Sequence, residues 1–273
     1  MTEALVSLRG LCVSLPDRSR KQLFRPAPLV QIVRSVDLDI PRGHALGLVG
    51  ESGSGKTTLG RTIVRLIAPT GGELRYDGRD IAASDERALR PLRAKLQMIF
   101  QNPQSSLNPR LTIASTLMRP LEAFDRGGGR AERRRRAGEL LDIVGLPKTF
   151  LDRYPHELSG GQRQRVGIAR AIALEPEFIV ADEIVSGLDV STQAQILLLL
   201  RRLRAELNLT LVFISHDLSV VRVLCDEVAV MSNGEIVERG DTARVFEAPQ
   251  HPYTRELLDS VPLPDVDLEW IKS

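Results

Sequence analysis

The chain has 273 residues, 42% of them hydrophobic and 26% charged, enough for a large core in either one domain with an inserted lobe or two domains. A formal net charge of +2 gives no global electrostatic case for nucleic-acid binding. Cys12 and Cys225 lack metal-ligand spacing, Met1–Ala4 does not open a signal peptide, and the longest aliphatic run, Ile196–Leu200, falls far short of the ~20 residues that span a bilayer. These features lead us to expect free thiols and a cytoplasmic setting, with any membrane attachment supplied by another subunit.

In chain order, residues 4–15 and 29–40 alternate or cluster apolar residues as strands do. Pro41-Arg42-Gly43 turns into Ala45-Leu46-Gly47-Leu48-Val49, a continuously apolar run suited to a strand buried on both faces. A glycine-rich loop follows, then a helix over 57–67, and a strand-like stretch over 73–81 with a turn at Asp77-Gly78. Residues 93–101 lead as a strand through Met98-Ile99-Phe100 to Gln101, after which Asn102-Pro103 breaks it. From about 110 to 157 the character is helical, with Gly127-Gly128-Gly129 as a joint, and this reads as an inserted helical lobe. A helix over 163–174, a buried strand Phe178–Ala181, a long amphipathic helix over 191–207 and a strand Thr210–Ile214 complete the pattern. Buried strands alternating with helices predict a parallel sheet wrapped by helices, with ligands at the carboxyl ends of the strands.

The loop Gly50-Glu51-Ser52-Gly53-Ser54-Gly55-Lys56-Thr57 satisfies the phosphate-loop pattern G-x-x-x-x-G-K-[ST] at every fixed position, between a strand and a helix. Its glycines let the backbone curl around a triphosphate, Lys56 would reach the β- and γ-phosphates, and the Thr57 hydroxyl would ligate Mg²⁺. About a hundred residues later comes a second small-residue turn, Leu158-Ser159-Gly160-Gly161-Gln162, which also offers backbone N–H groups to an anion. Two such elements suggest that ATP is bound between two copies of such a domain. Asp182-Glu183 closes a buried strand; Asp182 would hold the Mg²⁺ water shell, and Glu183 would accept a proton from the attacking water, a helix cap being the plainer alternative. His216, ending the next strand, could hold Glu183 and the water in line.

The phosphate loop, Gln101, Leu158–Gln162, Asp182-Glu183, Asp189 and His216 resemble, in order and spacing, the ATPase subunits of ABC transporters over residues 5–262. The resemblance implies a P-loop NTPase with a parallel-sheet core, an N-terminal antiparallel β subdomain and an inserted helical subdomain. The corresponding boundaries are 1–101 (β subdomain and first part of the nucleotide-binding core), 102–162 (helical signature subdomain), 163–245 (second part of the core) and 246–273 (tail). It also implies head-to-tail docking of two ATPases, identical or homologous, around ATP and Mg²⁺. Nucleotide would be held by Gly50–Thr57 with Thr58, and by the partner's Ser159, Gly160, Gly161 and Gln162. Gln101 would contact the metal and sense the transporter, and Asp189 would contact the opposite site.

A narrower resemblance, to importers of oligopeptides, dipeptides and nickel, rests on Phe100–Pro103, Ser106–Pro109, Arg153–Glu157 and His251-Pro252-Tyr253-Thr254. No catalytic logic follows from these short motifs themselves. The implied partners are membrane-spanning permeases at the cytoplasmic face and, indirectly, a solute-binding protein. The sequence departs from the family in three places. Ile184-Val185 replaces a common Pro-Thr, but two β-branched residues should keep the strand end packed. No adenine-stacking aromatic is obvious; Phe24 is the candidate, a loop anchor the other reading. A longer cysteine-bearing tail is not seen after His251–Tyr253. The rival class, a DNA-maintenance ATPase, usually carries a long coiled coil or large insertion, whereas only 56 residues separate Gln101 from Leu158. Arg133–Arg136 read as a solvated helix face with Glu132 and Glu139.

Overall fold

The computed structural model describes residues 4–17, 27–101 and 107–260. The chain forms two compact units: Met1–Arg90 with Thr210–Ser273, and Pro91–Leu209.

In the first unit, β1 (Ala4–Pro16) pairs antiparallel with β2 (Leu29–Pro41) and with β4 (Gly71–Tyr76), and β5 (Arg79–Asp80) borders β4. The register Leu8↔Leu38 and Leu8↔Leu74 stacks buried leucines on one face, as period-two alternation requires. The stretch 73–81, read as one strand with a turn, is two strands joined at Asp77 (φ 51°) and Gly78 (φ 73°), both left-handed as a tight hairpin turn demands. A second set of strands runs in the order β10 (Glu235–Asp241), β9 (Glu227–Ser232), β3 (Ala45–Val49), β8 (Thr210–Ile214). Here β3 lies parallel to β8 and β9, while β10 returns antiparallel to β9. All five residues of β3 and of β8 are buried, which is why both read as unbroken apolar runs. Helix α1 (Lys56–Ile63) is shorter than the 57–67 expected: Arg65 turns left-handed (φ 59°) and donates to the carbonyls of Ile81 (2.9 Å) and Ser84 (2.9 Å).

Helix α2 (Glu86–Lys95), with Pro91 inside it, carries the chain into the second unit. There β6 (Leu96–Ile99) and β7 (Phe178–Asp182) pair in parallel. The helical lobe holds α3 (Ile113–Ala123), capped by the Thr112 hydroxyl, and α4 (Arg130–Ile143), which packs Ala137, Leu140 and Leu141 inward. The four consecutive arginines of α4 all meet carboxylates: Arg133–Asp125, Arg134–Asp152, Arg135–Glu132 and Arg136–Glu175. Arg134 and Arg135 are exposed and Arg133 and Arg136 half-buried, so the run is ion-paired around the helix axis and not gathered on one solvated face. Helices α5 (Gly160–Ile172) and α6 (Val190–Leu207) complete the unit. In the first unit, α7 (Leu218–Leu224), α8 (Thr242–Glu247) and α9 (Pro252–Ser260) follow β8. Among the described residues no helix is long and apolar enough to cross a membrane.

Candidate active site

The chain leaves β3 at Gly50, where φ is 143° and a Cβ would stand 2.1 Å from the Met231 carbonyl oxygen; no other residue fits this bend. The loop then folds back on itself, with the Ser54 N–H donating to the Glu51 carbonyl (3.2 Å). Ser54 and Lys56 are buried, and the Lys56 ammonium donates to the carbonyls of Gly50 (2.7 Å) and Glu51 (2.6 Å), so the cation sits inside the loop. Glu51, Ser52 and Gly53 are exposed, while Thr57 and Thr58 lie half-buried in the first turn of α1. A Cβ on Gly53 would meet nothing within 4 Å, so the outer side of the loop opens to solvent. An enclosed ammonium, a helix N-terminus and an open outer side suit a polyanion.

Strand register places a second residue at that edge. Leu48 pairs with Ile214 in the parallel ladder, so Gly50 and His216, each two residues further on, emerge at the same carboxyl end. Ser215 beneath is buried and its N–H donates to the Leu48 carbonyl (3.3 Å), while His216 itself is exposed.

The same logic operates in the second unit. Ile99 pairs with Ala181, and two residues beyond each lie Gln101 and Glu183; the Gln101 amide donates to the Glu183 carboxylate at 2.6 Å. Glu183 occupies the left-handed region (φ 47°), a conformation a non-glycine residue holds only when its surroundings impose it. The imposing contacts are local: the Ser186 N–H (3.2 Å) and hydroxyl (2.8 Å) both donate to the Glu183 carbonyl. Asp182, the last residue of β7, is fully buried, and Ile184 and Val185 are buried as β-branched packing residues should be.

Gly160-Gly161-Gln162 is helix rather than a turn before one. The Ser159 hydroxyl accepts the Gln162 N–H (3.2 Å) and the Gln162 side chain accepts the Ser159 N–H (3.0 Å), a reciprocal cap that starts α5 three residues earlier than the expected 163. A Cβ on Gly161 would lie 2.4 Å from Thr192 Cγ2, so α5 and α6 approach closely there. Asp189 caps α6. It accepts from the Ser191 hydroxyl (2.6 Å), the Thr192 hydroxyl (2.7 Å) and the Thr192 N–H (2.9 Å). These bonds, the Ser191 hydroxyl first, hold its carboxyl at about 2. Phe24, together with Asn102, Pro103 and Ser106, lies outside the described residues.

A family model described as ABC transporter matches residues 33–186, and one described as oligopeptide/dipeptide transporter, C-terminal region, matches 237–273. The chain belongs to the ABC transporter family. It is 51% identical over 268 residues to a putative peptide import ATP-binding protein of Brucella ovis, covering 98% of this chain and 82% of that one. It is 46% identical to the oligopeptide transport ATP-binding protein OppF of Bacillus subtilis, covering 98% of this chain and 86% of the relative. A solved dimeric ATP-binding cassette in a post-hydrolysis state, bound to ADP and Pi, aligns at TM-score 0.76 and 32% identity, over 87% of this chain and 98% of that one. Another cassette, cbiO1 of Clostridium perfringens, aligns at TM-score 0.75 and 25% identity, over 90% of this chain and 92% of that one.

For this ABC cassette, the donors foreseen for Mg²⁺ (Thr57, Gln101 and Asp182) are all oxygen ligands with a single carboxylate. Hydroxyl, amide and carboxylate oxygens of this kind suit a hard cation such as Mg²⁺. Among the described residues no cluster of three or more His, Cys, Asp or Glu offers a self-contained metal cage. Sequence reasoning missed Thr192, which backs Gly161, and Met231, whose carbonyl dictates Gly50. Neither carries a local signal, because each is defined only by what packs on it.

Proposed function

We propose that the chain is the ATP-hydrolysing subunit of an ABC importer of peptides or related small solutes. The observation that carries this reading is the loop Gly50–Thr57, whose forced bend, enclosed Lys56 ammonium and following helix form a phosphate seat. The peptide, oligopeptide and dipeptide transport named for its relatives supports the cargo class.

In this reading Gly50–Thr58 hold the phosphates of ATP, and Lys56 moves from the loop carbonyls to the β- and γ-phosphates. Thr57, Gln101 and Asp182 would hold Mg²⁺, which would supply charge neutralisation to the bound phosphates. Glu183 takes the proton of the attacking water; its left-handed backbone and the Gln101 amide fix where its carboxylate points. His216 steadies that water and the γ-phosphate. Ser159, Gly160, Gly161 and Gln162 of a second ATPase subunit, twin or homologue, meet the same nucleotide, and Asp189 abuts the opposite site. The dimeric form of a solved relative supports such pairing. Residues 102–162 serve as the helical signature subdomain, 1–101 and 163–245 as the nucleotide-binding parts and 246–273 as the tail. The subunit sits on the cytoplasmic face of the membrane, bound to permeases that receive cargo from a solute-binding protein.

Glu183→Gln tests the chemistry. Turnover should fall at least about 100-fold, the contribution of a positioned general base, while ATP binding persists and ATP-bound dimer accumulates. Hydrolysis at the parent rate would remove Glu183 from its role. Co-purification with hydrophobic permeases is expected; retention on DNA without membranes would favour the DNA-maintenance alternative.

A further inference from the structure

The motif His251-Pro252-Tyr253 acquires a physical role from its contacts. Pro252 opens α9 in its first turn, where an N–H has no intrahelical partner to lose, and the His251 Nδ1 accepts the Tyr253 N–H (3.2 Å), capping that start. Just upstream, the N–H groups of Gln250 (2.8 Å) and His251 (3.0 Å) donate to the two carboxylate oxygens of Glu238 in β10. The segment is thus tied to the β9–β10 hairpin, and the entry angle of α9 is fixed. From there the Tyr253 hydroxyl accepts the N–H of Glu51 (2.9 Å), the second residue of the phosphate loop.

Glu51 is therefore held from two sides, its N–H by Tyr253 and its carbonyl by the Lys56 ammonium (2.6 Å). The same hairpin also holds the loop directly, since the Gly234 N–H donates to the Ser54 carbonyl (3.0 Å). When Lys56 turns to the phosphates it must release the Glu51 carbonyl. Tyr253 then keeps the preceding peptide, Gly50–Glu51, in place, so the loop need not be ordered anew at the moment of binding.

We propose that Tyr253 is a positioning residue for nucleotide binding, latching the first bend of the phosphate loop, and that His251, Pro252 and Glu238 aim it. The inference rests on the reading of Gly50–Thr58 as the ATP site. The test is equilibrium binding of ATP and of ADP, without Mg²⁺, to the full chain, paired with amide exchange of the peptide containing Glu51. Tyr253→Phe, which keeps the ring, should weaken both nucleotides about two- to tenfold and speed exchange of the Glu51 amide, with the unfolding midpoint unchanged. His251→Ala should reproduce the loss, and His251→Asn, which restores a capping acceptor, should recover it. Unchanged affinity in Tyr253→Phe, or a lower midpoint with parent-like affinity and exchange, would overturn the latch. Failure of the parent itself to bind ATP would instead overturn the nucleotide reading, and the exchange arm would still report whether the hydroxyl holds Glu51.

Discussion

Gly161→Ala places a methyl group where none fits. The new Cβ would lie 2.4 Å from Thr192 Cγ2, and Thr192 can withdraw only by turning its side chain. That rotation breaks the bond from its hydroxyl to Asp189 (2.7 Å), which helps cap α6. Overpacking a fitted contact costs about 1–3 kcal/mol. Alanine recovers at most about 1 kcal/mol over glycine through helix propensity, and less in a first turn such as this. With about half of that propensity recovered in a first turn, the clash wins by about 0.5–2.5 kcal/mol. For a chain of this size the unfolding midpoint should drop by about 2–4 °C for each kcal/mol. Thr192→Ser removes Cγ2 and keeps the hydroxyl for Asp189, so Gly161→Ala made in that background should be neutral or stabilising. Unfolding of the parent, both single variants and the double variant by circular dichroism gives the coupling, expected to favour the double variant by at least about 1 kcal/mol. A midpoint for Gly161→Ala at or above the parent's, or single effects that simply add, would refute the contact between α5 and α6 as the reason for glycine at 161.

The phosphate loop should tolerate side chains unequally: Gly50→Ala meets the Met231 carbonyl at 2.1 Å, whereas Gly53→Ala meets nothing within 4 Å. Denaturation should show a loss of at least about 3 kcal/mol for the first and only the left-handed strain of about 1 kcal/mol for the second, and equal losses would refute the packing argument. Asp189 makes a pH prediction, because its carboxyl is depressed from 3.8 to about 2 in the folded chain. A depressed carboxyl stabilises above its unfolded value and loses that stabilisation as pH falls through the folded one. Asp189→Asn keeps a capping side chain but no charge, so its midpoint should trail the parent's more at about pH 7 than at about pH 3. A constant gap would assign the effect to the cap geometry alone.

Local chemistry was legible in the sequence. Ala45–Val49 announced a buried strand, Gly50–Thr57 announced a glycine loop leading into a helix, and Asp77-Gly78 announced a hairpin, each within a few contiguous residues. Helix α2 was not anticipated, since Pro91 falls inside it, and the elements after His216 were not resolved from pattern alone. The local pattern sets the start of α5 at 163, since Ser159–Gln162 fits a small-residue turn; the same spacing fits the reciprocal cap that starts the helix at Gly160.

By itself the sequence determined which residues carry charge, hydroxyl or conformational freedom, and in what local order. Tertiary structure decided which of them meet. Gln101 reaches Glu183 because two parallel strands pair Ile99 with Ala181, and a shift of one residue in that register would aim the two side chains apart. Tyr253 reaches Glu51 across 202 residues because Glu238 on a distant hairpin fixes the start of α9. An apolar run states that a strand is buried but not which strand lies beside it. Partners far apart in sequence are chosen by packing, where close approach admits glycine at 50 and 161 and little else.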